Sequence, residues 1–311
     1  MNKQFQERSK TVFDALCILA KIYGKIIFLG GSAIQAILEK PKRLSIDLDV
    51  SYSGEVQKLV EGLLQAGYEV KLRESKNPSF LFYNLFKNNV LVKLDVSKFI
   101  IPETEARKIQ GIEILFPKQS YFLASKLSTL AFGTIGRFVQ EPTQITKDVF
   151  DINCLLDEKP GLEKTARDWK QITTDENKLR NTSFTEKQCL ESVEKTLLKC
   201  VQATPPFNIP QNALGSFQDT LLTEKITRSD LATMSARAIL LLACMNNGFY
   251  EAEKQALTES QDAKKLALAE KALLEKNLLE PQQLHALKLT APKALAFLKH
   301  YSEKRGLAEF A

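Results

Sequence analysis

Residues 25–52 read KIIFLGGSAIQAILEKPKRLSIDLDVSY, and this stretch decides the fold of the first half of the chain. The apolar run over 25–29 predicts a short strand, and the glycine pair after it predicts a tight turn into a helix over 33–38. A second strand follows and carries Asp47 and Asp49. The stretch therefore predicts strand, turn, helix and strand, with two carboxylates on the second strand.

These two aspartates are separated by one residue in an otherwise apolar pattern formed by Ile46, Leu48 and Val50. Residues i and i+2 of a strand point to the same face, and they lie about 7 Å apart at a rise of ~3.3 Å per residue. Because two buried like charges are costly unless cations or donors meet them, we expect the pair to share divalent cations, usually Mg²⁺. The alternative is a solvated strand edge.

A third acid, Asp95, interrupts the strand pattern of residues 90–96. Placed beside Asp47 and Asp49, it would complete a cradle for two metal ions and could accept the proton of an attacking hydroxyl. The alternative is an outward-facing residue on an amphipathic strand, since Lys93 shares its face.

The glycine turn predicts a phosphate site. Gly30 and Gly31 let a ligand approach the backbone closely, the helix N-terminus offers free N–H groups, and Ser32 adds a hydroxyl donor. The chain contains neither a P-loop nor a G-x-G-x-x-G motif at this turn. The alternative is an ordinary strand-to-helix turn with Ser32 as its N-cap.

A later helical region places basic and acidic residues together. Lys126 lies in a leucine-rich pattern, Arg137 follows, and Asp148 and Asp151 are i, i+3 neighbours on the next helix. Lysine and arginine could neutralise triphosphate charge during transfer. An ordinary charged helix face is the alternative.

The composition is that of a globular protein: 311 residues, 44% hydrophobic and 26% charged, with a net charge of +6. The five cysteines form no C-x-x-C pair, which favours reduced, buried thiols in a cytoplasmic protein. Two histidines, both late in the chain, argue against a His-based zinc site and a Ser-His-Asp triad. No apolar run approaches the ~20 residues needed to span a bilayer, so we expect a soluble protein without a membrane partner.

Beyond the opening motif, strand patterns at 68–73, 80–86, 90–96 and 112–116 give way to helical spacing. Long helical patterns cover 218–247, 249–278 and 281–304. We predict two domains on this basis, 1–158 and 159–311, with an α+β fold for the first and an all-helical second.

The order G-G-S, D-x-D and a later single strand aspartate resembles the polymerase β-like nucleotidyltransferases. The fuller pattern adds Arg43-x-Ser45 before the D-x-D, a lysine in a leucine-rich helix and a closing Lys-Asp-x-Phe-Asp. It is similar to the AbiEii/AbiGii toxin nucleotidyltransferases, over about the first 155 residues. The resemblance implies a mixed sheet flanked by helices.

The resemblance also implies roles for the residues that match its motifs. It implies Asp47, Asp49 and Asp95 as metal ligands, and Asp95 also as a general base. The implied nucleotide contacts are Gly30, Gly31, Ser32, Arg43, Lys126 and Asp148, of which Lys126 is also counted as catalytic. Two Mg²⁺ ions are implied as cofactors, with Mn²⁺ as a substitute.

The family's MenT members add nucleotides to the 3′ end of tRNA. The resemblance therefore implies transfer of an NMP from an NTP to a tRNA hydroxyl, as the toxin of a toxin–antitoxin or abortive-infection system with a cognate antitoxin. Two alternatives stay open from the residues: the same chemistry on an antibiotic or protein hydroxyl, and a catalytically silent module that binds a nucleotide or a partner.

Overall fold

The computed structural model describes residues 3–24, 26–73, 80–98, 101–202, 211–222, 225–245 and 248–308. It divides into two compact units: a sheet unit (residues 1–122 and 219–224) and a helical unit (residues 123–218 and 225–311). The predicted boundary between residues 158 and 159 falls inside the helical unit. Residues 219–224 join the sheet unit although they follow a long helical stretch of the chain.

The sheet unit contains three helices and seven strands within its described residues. The helices are α1 (Lys3–Tyr23), α2 (Gly30–Ile37) and α3 (Val56–Gln65). The strands are β1 (Ile27–Leu29), β2 (Asp47–Ser51), β3 (Glu69–Arg73), β4 (Phe80–Lys87), β5 (Val90–Ser97), β6 (Thr104–Ile109) and β7 (Ile112–Pro117).

These strands form one mixed sheet in the order β3-β4-β5-β2-β1-β7-β6. β2 pairs in parallel with β5, and β1 pairs in parallel with β7, whereas β1 and β2 are antiparallel. With its flanking helices and the helical remainder of the chain, this sheet confirms the predicted α+β fold class.

One face of the sheet forms the core of this unit. Helix α1 packs on it, with the Phe13 ring edge-on to Phe28 at a centroid distance of 6.0 Å. Alternate strand residues supply the buried side chains of this face. They are Phe28, Leu48, Val50, Leu85, Val92, Leu94, Val96 and Phe116.

The opposite face carries the residues between these positions, which include Asp47, Asp49, Lys93 and Asp95. A strand's side chains alternate between its two faces, so burial of Leu48, Val50 and Leu94 directs the neighbouring charged side chains away from the core. We call this side the open face.

Strand β6 has no counterpart among the predicted strands, because its sequence TEARKI lacks an apolar alternation. Its pairing with β7 forms it instead, through a two-residue turn at Gln110 and Gly111. Both turn residues have positive φ, at 49° and 79°, as a type I′ hairpin requires.

The helical unit begins within α4 (Gln119–Thr129) and continues through nine further helices in its described residues. They are α5 (Pro142–Asp157), α6 (Leu162–Arg180), α7 (Glu186–Gln202), α8 (Gln211–Gln218), α9 (Arg228–Cys244), α10 (Phe249–Glu259), α11 (Ala263–Glu275), α12 (Pro281–Thr290) and α13 (Pro292–Ala308).

The prediction of one long helix over 249–278 and another over 281–304 was wrong, since each range contains two helices. The first breaks where the Asp262 carboxylate accepts from the backbone N–H of Lys264 and Lys265, so Asp262 caps a new helix. The second breaks at Ala291, just before Pro292, because proline disfavours a helical residue ahead of it.

All five cysteines are buried and unbonded to one another. Among the described residues, no helix combines the length and the apolar character needed to cross a membrane.

Candidate active site

Asp47, Asp49 and Asp95 lie on the open face, on the adjacent strands β2 and β5. We call these three residues the carboxylate site. In the parallel pairing of these strands Asp49 is directly opposite Asp95, and Asp47 is two residues before Asp49 on the same face. All three residues are partly exposed to solvent. The sheet thus places side by side three acids that the sequence separates by almost fifty residues.

The glycine turn lies directly against this site. Gly30 begins α2 with a φ of +71°, which an L side chain rarely adopts. A Cβ built on Gly30 would lie 1.7 Å from the Asp49 Oδ2. Residue 30 must therefore be glycine for two reasons, its backbone conformation and the carboxylate that occupies the space of a side chain.

Gly31 has a similar role toward Arg43. A Cβ on Gly31 would lie 2.5 Å from an Arg43 guanidinium nitrogen and 3.0 Å from the Ser45 hydroxyl. Arg43 is 4% exposed, so its charge sits buried over the start of α2. This places a cation beside the predicted phosphate turn.

The loop that carries Arg43 is held from several sides. The Gln35 side-chain oxygen accepts from the backbone N–H of Lys42 and of Arg43, at 2.9 and 3.1 Å. The Leu44 N–H donates to the Thr220 carbonyl at 2.7 Å, within the returning segment of the sheet unit. Arg43 is therefore positioned by residues that are distant in sequence.

Ser32, predicted to donate to phosphate, donates in this structure to the backbone carbonyl of Asp47 at 2.6 Å. It is 1% exposed. This bond ties the first turn of α2 to the start of β2. The N–H groups of a first helical turn have no acceptor within the helix, so α2 keeps the donors that an anion would need.

Arg73 is a site residue that the sequence analysis missed. Its guanidinium forms an ion pair with the Asp95 carboxylate across β4, and it lies over the Phe82 ring at 5.3 Å from the ring centroid. It ends strand β3, 22 residues before Asp95. Residue spacing along a helix or a strand could not predict this pair, because only the register of three strands brings Arg73 and Asp95 together.

The pKa of Asp95 is raised above its ordinary value. Burial is the largest cause, Arg73 opposes it as a nearby cation, and the negative charge of Asp47 raises the pKa further. A carboxyl of this kind keeps its proton to higher pH, as suits a group that exchanges protons with a substrate.

We expect the Arg73→Gln substitution to raise the pKa of Asp95 further in the metal-free protein, because it removes the cation that favours the carboxylate form. Titration of the Asp95 side-chain carbon by NMR measures this directly. Lys71→Gln, which alters an exposed cation two residues earlier, is the matched control. An unchanged Asp95 pKa in the Arg73 variant would contradict the ion pair.

The carboxylate site has the hard oxygen donors that Mg²⁺ prefers. In the described part of the chain, no group of three or more His, Cys, Asp or Glu side chains is already arranged to hold a metal ion. The Asp95 carboxylate is bonded to Arg73. The three carboxylates match a divalent cation in donor type only, and Asp95 would have to leave Arg73 before the three could hold an ion together.

Lys126 and Asp148, both predicted to contact nucleotide, meet each other in the helical unit. The Lys126 ammonium lies 2.9 Å from Asp148 and 3.0 Å from Asp151, and both carboxylates are at most 1% exposed. Arg137 pairs with the other oxygen of Asp148. We call these four residues the Lys126 cluster. Its ion pairs join helix α4 to α5 and bind the loop between them.

No protein-family model and no curated protein matches the chain. Two similar solved structures are JHP933 from Helicobacter pylori and an antigenic nucleotidyltransferase-like protein from Paracoccidioides brasiliensis. The first is 16% identical, with a TM-score of 0.42 over 70% of this chain and 99% of that chain. The second is 16% identical, with a TM-score of 0.37 over 55% of this chain and 89% of that chain. Likenesses at this level carry no conclusion about activity, so the function is argued from the site.

Proposed function

We propose that this protein is a nucleotidyltransferase that moves an NMP from an NTP to a hydroxyl at the 3′ end of tRNA. The observation that carries the proposal is the geometry of the carboxylate site: three acids on adjacent strands, one of them against the glycine that opens α2. The motif order that resembles the AbiEii/AbiGii toxins supports the same chemistry.

In the proposed reaction, the hydroxyl oxygen forms a bond to the α-phosphorus of the NTP. The bond from this phosphorus to the bridging oxygen breaks, and pyrophosphate leaves. The hydroxyl proton passes to the Asp95 carboxylate, which must be unprotonated to accept it.

The other residues of the sheet unit bind and orient the triphosphate. The first turn of α2 offers backbone N–H groups at the positive end of a helix dipole, and Arg43 adds a buried cation over Gly31. Asp47 and Asp49, joined by Asp95, would hold two Mg²⁺ ions. When bound, these ions would neutralise charge on the triphosphate and on the reacting oxygens.

The test incubates the purified protein with total tRNA and each of four α-labelled NTPs, with and without Mg²⁺. We expect label on the tRNA 3′ end with at least one NTP, and none in EDTA. The Asp47→Asn substitution should lower the rate by at least about 10³-fold, because it removes one negative charge from the metal ligands. Metal ions stabilise the transition state by several kcal/mol, and each loss of about 1.36 kcal/mol lowers the rate tenfold.

Glu113→Gln, at an exposed acid of β7, is the matched control and should change the rate by less than about twofold, as expected for a surface substitution. Undiminished labelling by Asp47→Asn would contradict the metal assignment. Label on aminoglycosides or on protein, but not on tRNA, would instead identify the alternative acceptors. Tight Mg-NTP binding with no transfer to any of these acceptors would identify a silent binding module.

The toxin role is part of this proposal. Expression of the wild-type protein should arrest growth, and expression of Asp47→Asn should not, because arrest through tRNA requires transfer. Relief of the arrest by the product of a neighbouring gene would identify a cognate antitoxin.

A further inference from the structure

The open face beside the carboxylate site carries aromatic rings and cations on strands β3, β4 and β5. Their side chains share this face because Arg73, Phe82 and Asp95 are register partners, as are Phe86 and Glu69, and alternate residues of each strand point the same way. We call them the aromatic–basic face. Its members are Lys71, Arg73, Phe80, Phe82, Phe86 and Lys93.

The rings are available at this surface. Phe80, Phe82 and Phe86 are each partly exposed, whereas Tyr83 and Leu85, which point to the other face, are buried. The planes of the Phe80 and Phe82 rings are 2° apart, with centroids 6.3 Å apart. Two nearly parallel, partly exposed rings form a platform on which flat groups can stack.

Cations lie against two of the three rings. Arg73 lies over Phe82, and the Lys71 ammonium lies 5.1 Å from the Phe86 centroid. Lys93 is exposed one strand further, opposite Asp47 in the sheet register. Lys71 also pairs with Glu69 at 2.8 Å, but both side chains are at least 60% exposed, so this pair is weak and can be replaced.

One hydrogen-bond donor of Arg73 has no acceptor in the described part of the chain. Its Nε is buried, and it has no hydrogen-bond partner among the residues that the structure describes. A buried guanidinium N–H without an acceptor is costly, and a phosphate oxygen is the acceptor that a guanidinium fork binds best. The Arg73 guanidinium therefore has an unsatisfied donor that an anionic ligand would satisfy once the side chain moves away from Asp95.

The face leads directly into the carboxylate site. Arg73, Phe82, Asp95 and Asp49 are successive partners in one row across β3, β4, β5 and β2. Neighbouring strands are about 4.8 Å apart, so the backbone at Phe82 lies about 10 Å from the backbone at Asp49. A strand of nucleic acid lying along this row would therefore end at the carboxylates.

We propose that the aromatic–basic face binds the single-stranded 3′ end of the acceptor RNA, and this inference rests on the proposed function for the choice of RNA. Bases stack on Phe80 and Phe82, and phosphates meet Lys71, Arg73 and Lys93. A sheet surface that alternates rings with cations suits unpaired bases, whereas a duplex keeps its bases stacked on one another and offers no free ring face.

The test measures binding of a labelled 12-nucleotide single-stranded RNA ending in ACCA by fluorescence anisotropy, without NTP. We expect Phe82→Leu to weaken binding about tenfold through the loss of one stacked base. Leu72→Ala is the matched control, since Leu72 is 65% exposed on β3 and points to the other face. It should leave the affinity unchanged.

Lys71→Gln and Lys93→Gln test the phosphate contacts independently, and both residues are exposed, so these variants should fold even where Phe82→Leu does not. Each should lower the slope of log affinity against log salt by about 0.7, the value for one phosphate contact on a single strand. Wild-type slopes in both variants would overturn the proposal. Equal binding of a blunt-ended duplex would also overturn it.

The two proposals fail separately. Single-strand binding that depends on Phe82, without transfer of any NMP, would support this face and contradict the proposed function. If the protein transfers an NMP to tRNA but Phe82→Leu binds single-stranded RNA as tightly as wild type, the proposed function is supported and the proposal for this face is overturned.

Discussion

We expect Lys126→Met to lower the free energy of unfolding by about 3–5 kcal/mol, the cost of removing one partner from a buried ion pair. The Lys126 side chain is 12% exposed and serves two carboxylates that are at most 1% exposed. Without it, Asp148 keeps its ion pair with Arg137, whereas Asp151 loses the ammonium at 3.0 Å. Chemical denaturation of both proteins measures the difference.

Lys170→Met is the matched control, because Lys170 is 73% exposed and only 3.8 Å from Glu186. Its effect should be within about 0.5 kcal/mol. A second substitution, Asp151→Asn, should recover part of the stability lost by Lys126→Met, because it removes the charge of one of the two buried carboxylates that Lys126 pairs with. If Lys126→Met is as stable as wild type but inactive, Lys126 serves the ligand and not the fold.

We expect Gly30→Ala to abolish function and to destabilise the sheet unit by about 2–4 kcal/mol. The positive φ of residue 30 costs an alanine about 1–2 kcal/mol. The remainder comes from overpacking, since the new methyl would meet the Asp49 Oδ2 at 1.7 Å and its Cβ at 2.9 Å. The Asp49 carboxylate must then leave its position, so both thermal stability and NMP transfer should fall.

Gly67→Ala separates the two causes. Gly67 has a φ of +83° and nothing within 4 Å of the position of a Cβ, so this variant carries the backbone strain alone. It should lose about 1–2 kcal/mol and keep its activity. The double variant Gly30→Ala with Asp49→Ala should be more stable than Gly30→Ala alone, and a double variant that is equally unstable would contradict the contact.

Local pattern predicted most of the sheet unit. Strands β3, β4, β5 and β7 were predicted within one or two residues, because each has an apolar alternation bounded by turn residues. Strand β6 was missed for want of that alternation. In the helical unit the pattern of apolar residues continued across Ser260 and Ala291, so the breaks at those residues were found only in the structure.

The ion pairs of the Lys126 cluster were outside the reach of the sequence for a different reason. The sequence placed Lys126 in a leucine-rich helix and Asp148 and Asp151 at i, i+3 on the next one, and the resemblance implied that Lys126 and Asp148 contact the nucleotide. The structure pairs them with each other and with Asp151. A helix pattern identifies which residues share a face, but two oppositely charged faces on different helices meet only through tertiary packing.

The sequence by itself determined the strand–turn–helix–strand motif, the glycine turn before α2, and the shared face of Asp47 and Asp49. Each of these follows from interactions within a few residues: turn conformation, side-chain alternation and apolar spacing. The tertiary structure alone decided that Asp95 stands opposite Asp49, that Arg73 pairs with Asp95 across β4, and that a face of rings and cations adjoins them. Strand order and register decide these contacts, and they depend on how distant segments bury their apolar faces together.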